Sequence, residues 1–492
     1  MVRRMNVLFV SSEVAPFAKT GGLGDISASL PRHLGARGHD VRVFLPLYRR
    51  IDARDFQELV PELVFALGPH QIRCSILATR LPGSEVPVHF VRCPSLYDRP
   101  GLYEQGPDEH LRFAALCQAA LRACQHLRFA PDIAHVNDWQ TALIPLLLKL
   151  PPFAGDPLFA RTRSLLTIHN LGFQGVFESR FAGESGLAHA APLLHQDDLR
   201  AGRLAFLTTG ILHANAITTV SPTYAREIQT PEQGFGLDGL LRLRRDVLFG
   251  ILNGLDEEEW SPDRDRHLAH HFTAADLSGK ERCKEALLAA AQLPYRREVP
   301  LLAIVSRLAW QKGFDLCMPV LPGLLQRRAV QLVVLGTGEK RYQDFFQGLV
   351  RAFPRQVAFR PTFDEGLAHR IEAGADLFLM PSRYEPCGLN QMYSLRYGTV
   401  PIVHKTGGLA DTVWQFDERS GRGTGFVFEH FDEEGLSWAL NRALAVWGTG
   451  AGADRERWIG LQHNGMRLPL GWGDRIDEYV SLYKRLAPEA AQ

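Results

Sequence analysis

At 492 residues the chain is longer than one hydrophobic core usually serves, so two domains of ordinary size are expected. Its 46% hydrophobic and 22% charged residues are those of a globular protein, and 55 basic against 54 acidic side chains leave a net charge of +1. That balance excludes a global field drawing the chain to nucleic acid or to a membrane surface, so any affinity for phosphate must be local.

The seven cysteines are scattered and form no Cys-x-x-Cys pair, which argues against a disulfide framework and a zinc site and favours a reducing compartment. Behind Arg3 and Arg4 the apolar run at 7–10 is too short for a signal-peptide core, and no run approaches the ~20 residues of a membrane helix. A cytoplasmic enzyme is expected.

Along the chain, a buried-type strand at 6–10, a Gly-containing loop, a helix over 25–37 and a strand at 41–45 predict a βαβ unit. Strands at 72–78 and 88–91 flank Pro82-Gly83, a hairpin or meander signal. The spacing of Leu111, Ala114, Ala115, Leu121 and Cys124 predicts an amphipathic helix over 108–127. Strands at 133–136 and 165–168 end in Asn137-Asp138-Trp139 and His169-Asn170-Leu171-Gly172, placing polar residues at strand exits. A helix over 203–214 and a strand at 216–220 follow, and Ser221-Pro222 is a helix start.

The run 247–252 leads into the turn Asn253-Gly254-Leu255-Asp256 and a polar segment to about 276, the expected domain boundary. Strands at 301–305, 330–335, 357–359, 377–380 and 401–403, separated by helical patterns, then predict a second parallel sheet. A small-residue linker is expected at 448–454, and a last helix at 474–486 has no strand after it. The expected division is 1–252, an N-terminal Rossmann-like domain; 253–473, a C-terminal Rossmann-like domain; and 474–492, a helix crossing back to the first. The fold class is α/β, with two Rossmann-like domains facing a central cleft.

Two observations support that pairing of domains. Lys19-Thr20-Gly21-Gly22-Leu23-Gly24-Asp25 recurs almost letter for letter as Lys405-Thr406-Gly407-Gly408-Leu409-Ala410-Asp411, each copy between a predicted strand and a predicted helix. The 377–380 strand runs out at Pro381-Ser382 into Arg383-Tyr384-Glu385-Pro386-Cys387-Gly388, and ligands of open parallel sheets bind beyond such strand ends. The free N–H groups of Gly388, Leu389 and Asn390, at the start of the next helix, suit an anion. Arg307 and Lys312 follow the 301–305 strand and can reach the two phosphates of one pyrophosphate. Leu335-Gly336-Thr337-Gly338-Glu339 is a weak nucleotide-loop signal, and no Walker A lysine is present. No acidic or His/Cys cluster has metal-ligand spacing.

These motifs, together with Tyr97-Asp98-Arg99-Pro100-Gly101-Leu102-Tyr103, Asn137-Asp138-Trp139-Gln140, Thr167-Ile168-His169-Asn170 and Asn253-Gly254-Leu255-Asp256, resemble the bacterial glycogen synthases of the starch synthase type. The resemblance implies a glycosyltransferase-B fold and a retaining glucosyltransferase with no cofactor and no metal, moving glucose from ADP-glucose to the non-reducing end of an α-1,4-glucan. It implies that Arg307 and Lys312 hold the diphosphate, approached by Lys19 and the Gly22 backbone. Glu385 contacts the donor sugar and His169 its anomeric side. Asp25, Tyr103, Asp138 and Asn253 line the glucose pocket, the N–H groups of Gly388, Leu389 and Asn390 cap the phosphate, and Phe363 lies against the base.

Related retaining transferases often carry a second Glu where this chain has Tyr393, which removes a ribose-binding carboxylate. Retention without an obvious second carboxylate favours same-face attack guided by the departing phosphate. The residues taken singly have blander readings: Asp138 as a helix N-cap, His169 as a structural histidine, Tyr103 and Phe363 as core aromatics. A UDP-glucose-using or other α-glucan glucosyltransferase, and a glucan-binding relative without turnover, stay open, as does the oligomeric state.

Overall fold

A computed structural model of the chain describes residues 4–104 and 106–488, so the ends of the expected spans 1–252 and 474–492, Arg3 included, lie outside the described residues. The chain divides into two units, residues 1–253 with 472–492, and residues 254–471.

In the first unit the apolar runs become the strands β1 (Asn6–Val10), β2 (Asp40–Pro46), β3 (Gln57–Leu67), β4 (His70–Arg80), β5 (Pro87–Arg92), β6 (Ile133–Asn137) and β7 (Arg163–Ile168). A short pair, β8 (Val176–Glu178) and β9 (Arg203–Ala205), stands apart, and β10 (Ala216–Thr219) and β11 (Leu248–Gly250) complete the set. Among the described residues nine of these form one sheet, in the order β11-β10-β7-β6-β1-β2-β5-β4-β3. Its central strands are parallel and almost wholly buried, which is why they read as continuous apolar runs.

Two expectations fail here. The span 203–214 is not helical throughout: 203–205 is β9, paired antiparallel with β8, and the helix is Phe206–His213. Strand β3 went unpredicted because Pro61 interrupts its pattern; β3 is the edge strand, and its register shifts fall around that proline, where a missing N–H is tolerated.

The helix Gly473–Leu486 belongs to the first unit. Asp477 pairs with Arg37 at the end of the helix Gly22–Ala36, and Trp472 stacks on His33 with ring centroids 5.8 Å apart. Deeper in, the Tyr483 hydroxyl lies 2.6 Å from Nδ1 of the fully buried His135, whose Nε2 lies 2.6 Å from the Thr167 hydroxyl. Burial holds the His135 pKa down to about 3. The native state therefore keeps this ring neutral while the unfolded chain protonates it near 6.5. Its contribution is present above that value and is lost as pH falls toward 3, by up to about 1.4 kcal/mol per pH unit. His135→Gln is expected to give a shallower fall in melting temperature between pH 6.5 and 4.5 than the parent chain, as read by thermal denaturation at both pH values.

The second unit holds β12 (Leu301–Val305), β13 (Gln331–Leu335), β14 (Val357–Arg360), β15 (Leu377–Met380), β16 (Val400–His404) and β17 (Phe426–Phe428). All are parallel, in the order β14-β13-β12-β15-β16-β17. Counted from β12, that is the 3-2-1-4-5-6 order of the doubly wound dinucleotide-binding fold, whose crevice opens where the order reverses, between β12 and β15.

Strand β17 and the helices Glu433–Trp447 and Gly452–Met466 were not expected. The supposed linker at 448–454 is a short connection, with Gly448 closing one helix and Gly452 opening the next. The second of these helices carries Gly460, Asn464 and Gly465, poor helix formers, but the burial of Trp458 and Leu461 overrides that weak propensity.

Candidate active site

In the second unit the loops leaving β12 and β15 are fastened to each other at the reversal point. Arg383 N–H donates to the Gln311 carbonyl at 2.9 Å, and the Gln311 amide donates to the Tyr384 carbonyl at 3.3 Å. This sets the Lys312 ammonium 2.6 Å from Glu385 Oε2, and the Ser382 hydroxyl donates to the same oxygen at 2.9 Å. Glu385 is buried and Lys312 half-buried. The pairing of the two side chains was not foreseen, because they lie on different strand exits and only the β12–β15 neighbourhood brings them together.

Arg307 is exposed at the end of β12, its guanidinium 3.5 Å from the Gln311 side chain. The Gly336-Thr337-Gly338 turn, read as a weak nucleotide loop, packs under the Arg307 loop. A Cβ at Gly336 would lie 1.9 Å from the Ser306 carbonyl oxygen, and one at Gly338 2.2 Å from that of Leu308. The second copy of the repeated motif has a similar packing reason. A Cβ at Gly407 or Gly408 would lie 2.0 Å from the carbonyl oxygens of Glu385 and Cys387 respectively, so the paired glycines let the Glu385 loop settle on this helix start.

Gly388, Leu389 and Asn390 lead into the helix Asn390–Arg396, whose first N–H groups have no partner within the helix itself. The Asn390 amide donates to the Val305 carbonyl at 2.6 Å, tying that helix start to the end of β12. Phe363 precedes the helix Glu365–Gly374 and is 78% exposed, so the core-aromatic reading fails for it. Tyr393, at the position of the absent second carboxylate, lies in the core: Trp260 is stacked between Tyr393 and His369, with centroids 3.6 and 3.7 Å away.

In the first unit, the loop after β1 is organised by a residue that the sequence reading passed over. Glu13 is buried and accepts from Thr20 N–H at 2.5 Å, the Thr20 hydroxyl at 2.6 Å and the Tyr103 hydroxyl at 2.7 Å. Its only signal was a carboxylate following Ser11-Ser12 at a strand exit. The same loop sets Lys19 Nζ 2.7 Å from Asp25 Oδ1 and brings Gly22 to the helix start. Burial raises the Tyr103 hydroxyl well above its ordinary range, keeping it a neutral donor.

At the end of β6, Asp138 adopts a left-handed backbone, φ 54°, a conformation seldom held by a non-glycine residue unless its surroundings demand it. Its carboxylate accepts from His169 N–H at 2.7 Å and Asn170 N–H at 3.4 Å, joining the exits of β6 and β7. The N-cap of the following turn is Asn137, not Asp138. Burial pushes the Asp138 pKa up to about 7 against those two donors.

Asn137 donates from its amide to the Val10 carbonyl at 3.0 Å, which turns its oxygen toward His169 Nε2 at 2.9 Å. Burial holds the His169 pKa at about 3, so the ring is neutral, Nε2 carries the proton and Nδ1 keeps its lone pair. Asn253, the last residue of this unit before the division, is buried, and its side-chain oxygen has no hydrogen-bond partner among the described residues. No group of three or more His, Cys, Asp and Glu able to hold a metal ion occurs among the described residues.

Two Rossmann-like units, one of them with basic side chains and a buried carboxylate at the reversal point of its sheet, define a glycosyltransferase of the two-domain B type. Residues 6–243 match the starch synthase catalytic domain family and residues 289–459 the glycosyl transferases group 1 family. The chain is 48% identical to a glycogen synthase of Anaeromyxobacter dehalogenans over 98% of its own length and all of the relative's, and 46% identical to one of Myxococcus xanthus over 99% and 100%. The catalytic domain of starch synthase IV from Arabidopsis thaliana, solved bound to ADP and acarbose, is similar with a TM-score of 0.91 and 34% identity, covering 99% of this chain and 100% of that one. The chain belongs to the glycogen synthase family. Among the described residues no helix is long and apolar enough to cross a membrane.

Proposed function

We propose that this chain is a cytoplasmic glycogen synthase that transfers glucose from ADP-glucose to the non-reducing end of an α-1,4-glucan with retention of configuration. The observation that carries the reading is the convergence of Arg307, Lys312 and buried Glu385 at the reversal point of the second sheet, with Lys312 and Glu385 2.6 Å apart.

Glycosyl transfer builds positive charge on the sugar ring and negative charge on the leaving diphosphate. Fixed cations at the diphosphate lower that barrier without proton transfer, and in this role Arg307 contributes its planar fork and Lys312 a point charge. Glu385 holds Lys312 in place and presents its carboxylate to the developing glucosyl cation. The N–H groups of Gly388, Leu389 and Asn390 cap the phosphate, and Phe363, already exposed, offers a ring to the base.

From the first unit, Lys19 and the Gly22 backbone take part in diphosphate contact, while Asp25, Tyr103, Asp138 and Asn253 bind the glucosyl group. Neutral His169 offers a hydrogen-bonding edge to the sugar, oriented by Asn137 and Asp138. Residues 1–252 act as the acceptor and catalytic domain and 253–473 as the nucleotide-sugar domain.

The test is incorporation of labelled glucose into glycogen from ADP-glucose and from UDP-glucose at equal concentration, with the anomeric configuration of the new linkage read by NMR. ADP-glucose is expected to be used at least about ten-fold faster, giving an α-linkage. Preference for UDP-glucose, an inverted product or no incorporation overturns the reading.

Glu13 acts through the loop it fastens. Glu13→Gln keeps the size of the side chain but replaces one of its two acceptor oxygens by an amide N–H₂, which then faces either the Thr20 N–H or the hydroxyls of Thr20 and Tyr103. The expected result is a kcat/KM for ADP-glucose lower by about ten- to a hundred-fold, mostly through KM. Unchanged steady-state kinetics would remove Glu13 from the site.

A further inference from the structure

The turn after β2 carries three arginines in six residues, Arg49, Arg50 and Arg54, to which the proposed reaction gives no part. With Arg92 from the end of β5 they line a hollow of about 530 Å³ on the first unit. The same lining holds one carboxylate, Asp52, and an apolar base that includes Leu77. Lys19, Asp25, Tyr103, Asp138 and His169 do not line it.

Three of these arginines have exposed partners. Arg49 pairs with Asp98 at 2.6 Å, Arg54 with Asp52 at 2.5 Å and Arg92 with Glu58 at 2.6 Å, and Arg92 also donates to the Ser75 hydroxyl at 2.8 Å. Ion pairs this exposed contribute little, and each guanidinium has more N–H groups than its partner uses, so all three can turn spare donors to an incoming anion. Arg50 differs. Among the described residues it meets no carboxylate, and its Nη2 donates to a neutral acceptor, the Lys19 carbonyl, at 3.1 Å.

The chemistry of the hollow selects a small anion. Four guanidinium groups around one concavity favour negative charge there, and the planar fork of arginine matches the oxygens of a phosphate. A phosphate monoester is largely a dianion at neutral pH, and its free oxygens point in different directions, so it can engage the turn and Arg92 together. A carboxylate holds its oxygens in one plane and carries less charge. The apolar base leaves room for the neutral body of an ester. A nucleic-acid backbone or an anionic membrane needs cations spread along a face, and a chain of net charge +1 supplies no such field.

We infer that this hollow binds a small phosphate monoester and couples its occupancy to the Lys19 loop. A charge-assisted fork to phosphate outcompetes a 3.1 Å hydrogen bond to a neutral carbonyl, so the bound ester draws Arg50 away from Lys19. Thr20 stays fastened to Glu13, but the Lys19 backbone loses its tie to the turn. The consequence for the donor rests on the function proposed above, in which Lys19 takes part in diphosphate contact; the binding itself does not.

The probe is glycerol phosphate, followed by the broadening of its phosphorus NMR signal with ADP present to fill the catalytic site. The parent chain is expected to broaden the signal. The Arg54→Met/Arg92→Met double variant, which keeps the apolar stems and leaves Arg50 on the Lys19 carbonyl, is expected to bind the ester about ten-fold more weakly. In glucose transfer the ester is expected to raise the KM for ADP-glucose about five-fold in the parent chain. The double variant keeps the parental KM without ester and needs about ten-fold more ester for the same rise, while Arg50→Met starts at the raised KM and responds no further. An equal rise at equal ester concentration in the double variant marks competition in the catalytic site and overturns the inference. So does a parent chain that gives no broadening or no change in KM, or undiminished broadening by the double variant. No glucose incorporation by the parent chain counts against the function alone, since the broadening and its loss in the double variant need no donor.

Discussion

Glu385→Ala is expected to lower kcat by about three orders of magnitude while the KM for ADP-glucose changes little. The carboxylate is buried and held by two donors, Lys312 at 2.6 Å and Ser382 at 2.9 Å, so its position costs little reorganisation when charge develops on the sugar. In the proposed reaction, removing it deletes the negative charge that would face the glucosyl cation and also the group that pairs with the Lys312 ammonium. Glu385→Gln separates the two effects, since the amide keeps the volume and one acceptor but not the charge. The measurement is ADP release at saturating glycogen, with ADP binding followed by calorimetry. Near-parental turnover in the alanine variant would exclude Glu385 from the mechanism.

Lys312→Ala is expected to lower kcat/KM for ADP-glucose by about two to three orders of magnitude, and here donor binding itself weakens. The physical effect has two parts. In the proposed reaction the diphosphate would lose a cation, and Glu385 is left buried with the Ser382 hydroxyl as its remaining side-chain donor among the described residues. Breaking a buried ion pair from one side costs about 3 kcal/mol or more, so the variant also melts earlier. Lys312→Arg does not restore activity fully, because a planar fork cannot reproduce a compact ammonium in the same space. Combining Lys312→Ala with Glu385→Ala is expected to recover part of the lost stability, a non-additivity that marks a coupled pair. Unchanged kinetics and strict additivity together would dismiss the assignment.

The parallel strands were legible because both their faces are covered, which writes them as unbroken apolar runs: 301–305 and 377–380 coincide with β12 and β15. Elements whose formation depends on neighbours were not. Strand β3 carries a proline that argues against a strand until its edge position is known, and β17 spans three residues. The helix Gly452–Met466 is glycine-interrupted and rests on the burial of Trp458. Residues 203–205 join β8 through a pairing that no local pattern signals.

In the candidate site, strand-exit polarity was readable for Arg307, Lys312, Glu385, Asp138 and His169, because residue type and position relative to a strand are local properties. The local pattern did not reveal Glu13, since its importance lies in donors from Thr20 and from Tyr103, ninety positions away. Nor did it reveal why Tyr393 occupies its position, which is decided by a stack on Trp260.

By itself, then, the order of residues determined the alternation of strands and helices, the family to which the chain belongs and the chemical types at the strand exits. These follow from burial patterns and motifs of short range. Only the tertiary structure decided which exits adjoin, and so which charges meet. The 3-2-1-4-5-6 strand order sets β12 beside β15 and thereby sets Lys312 against Glu385, residues 73 positions apart whose attraction no local pattern encodes.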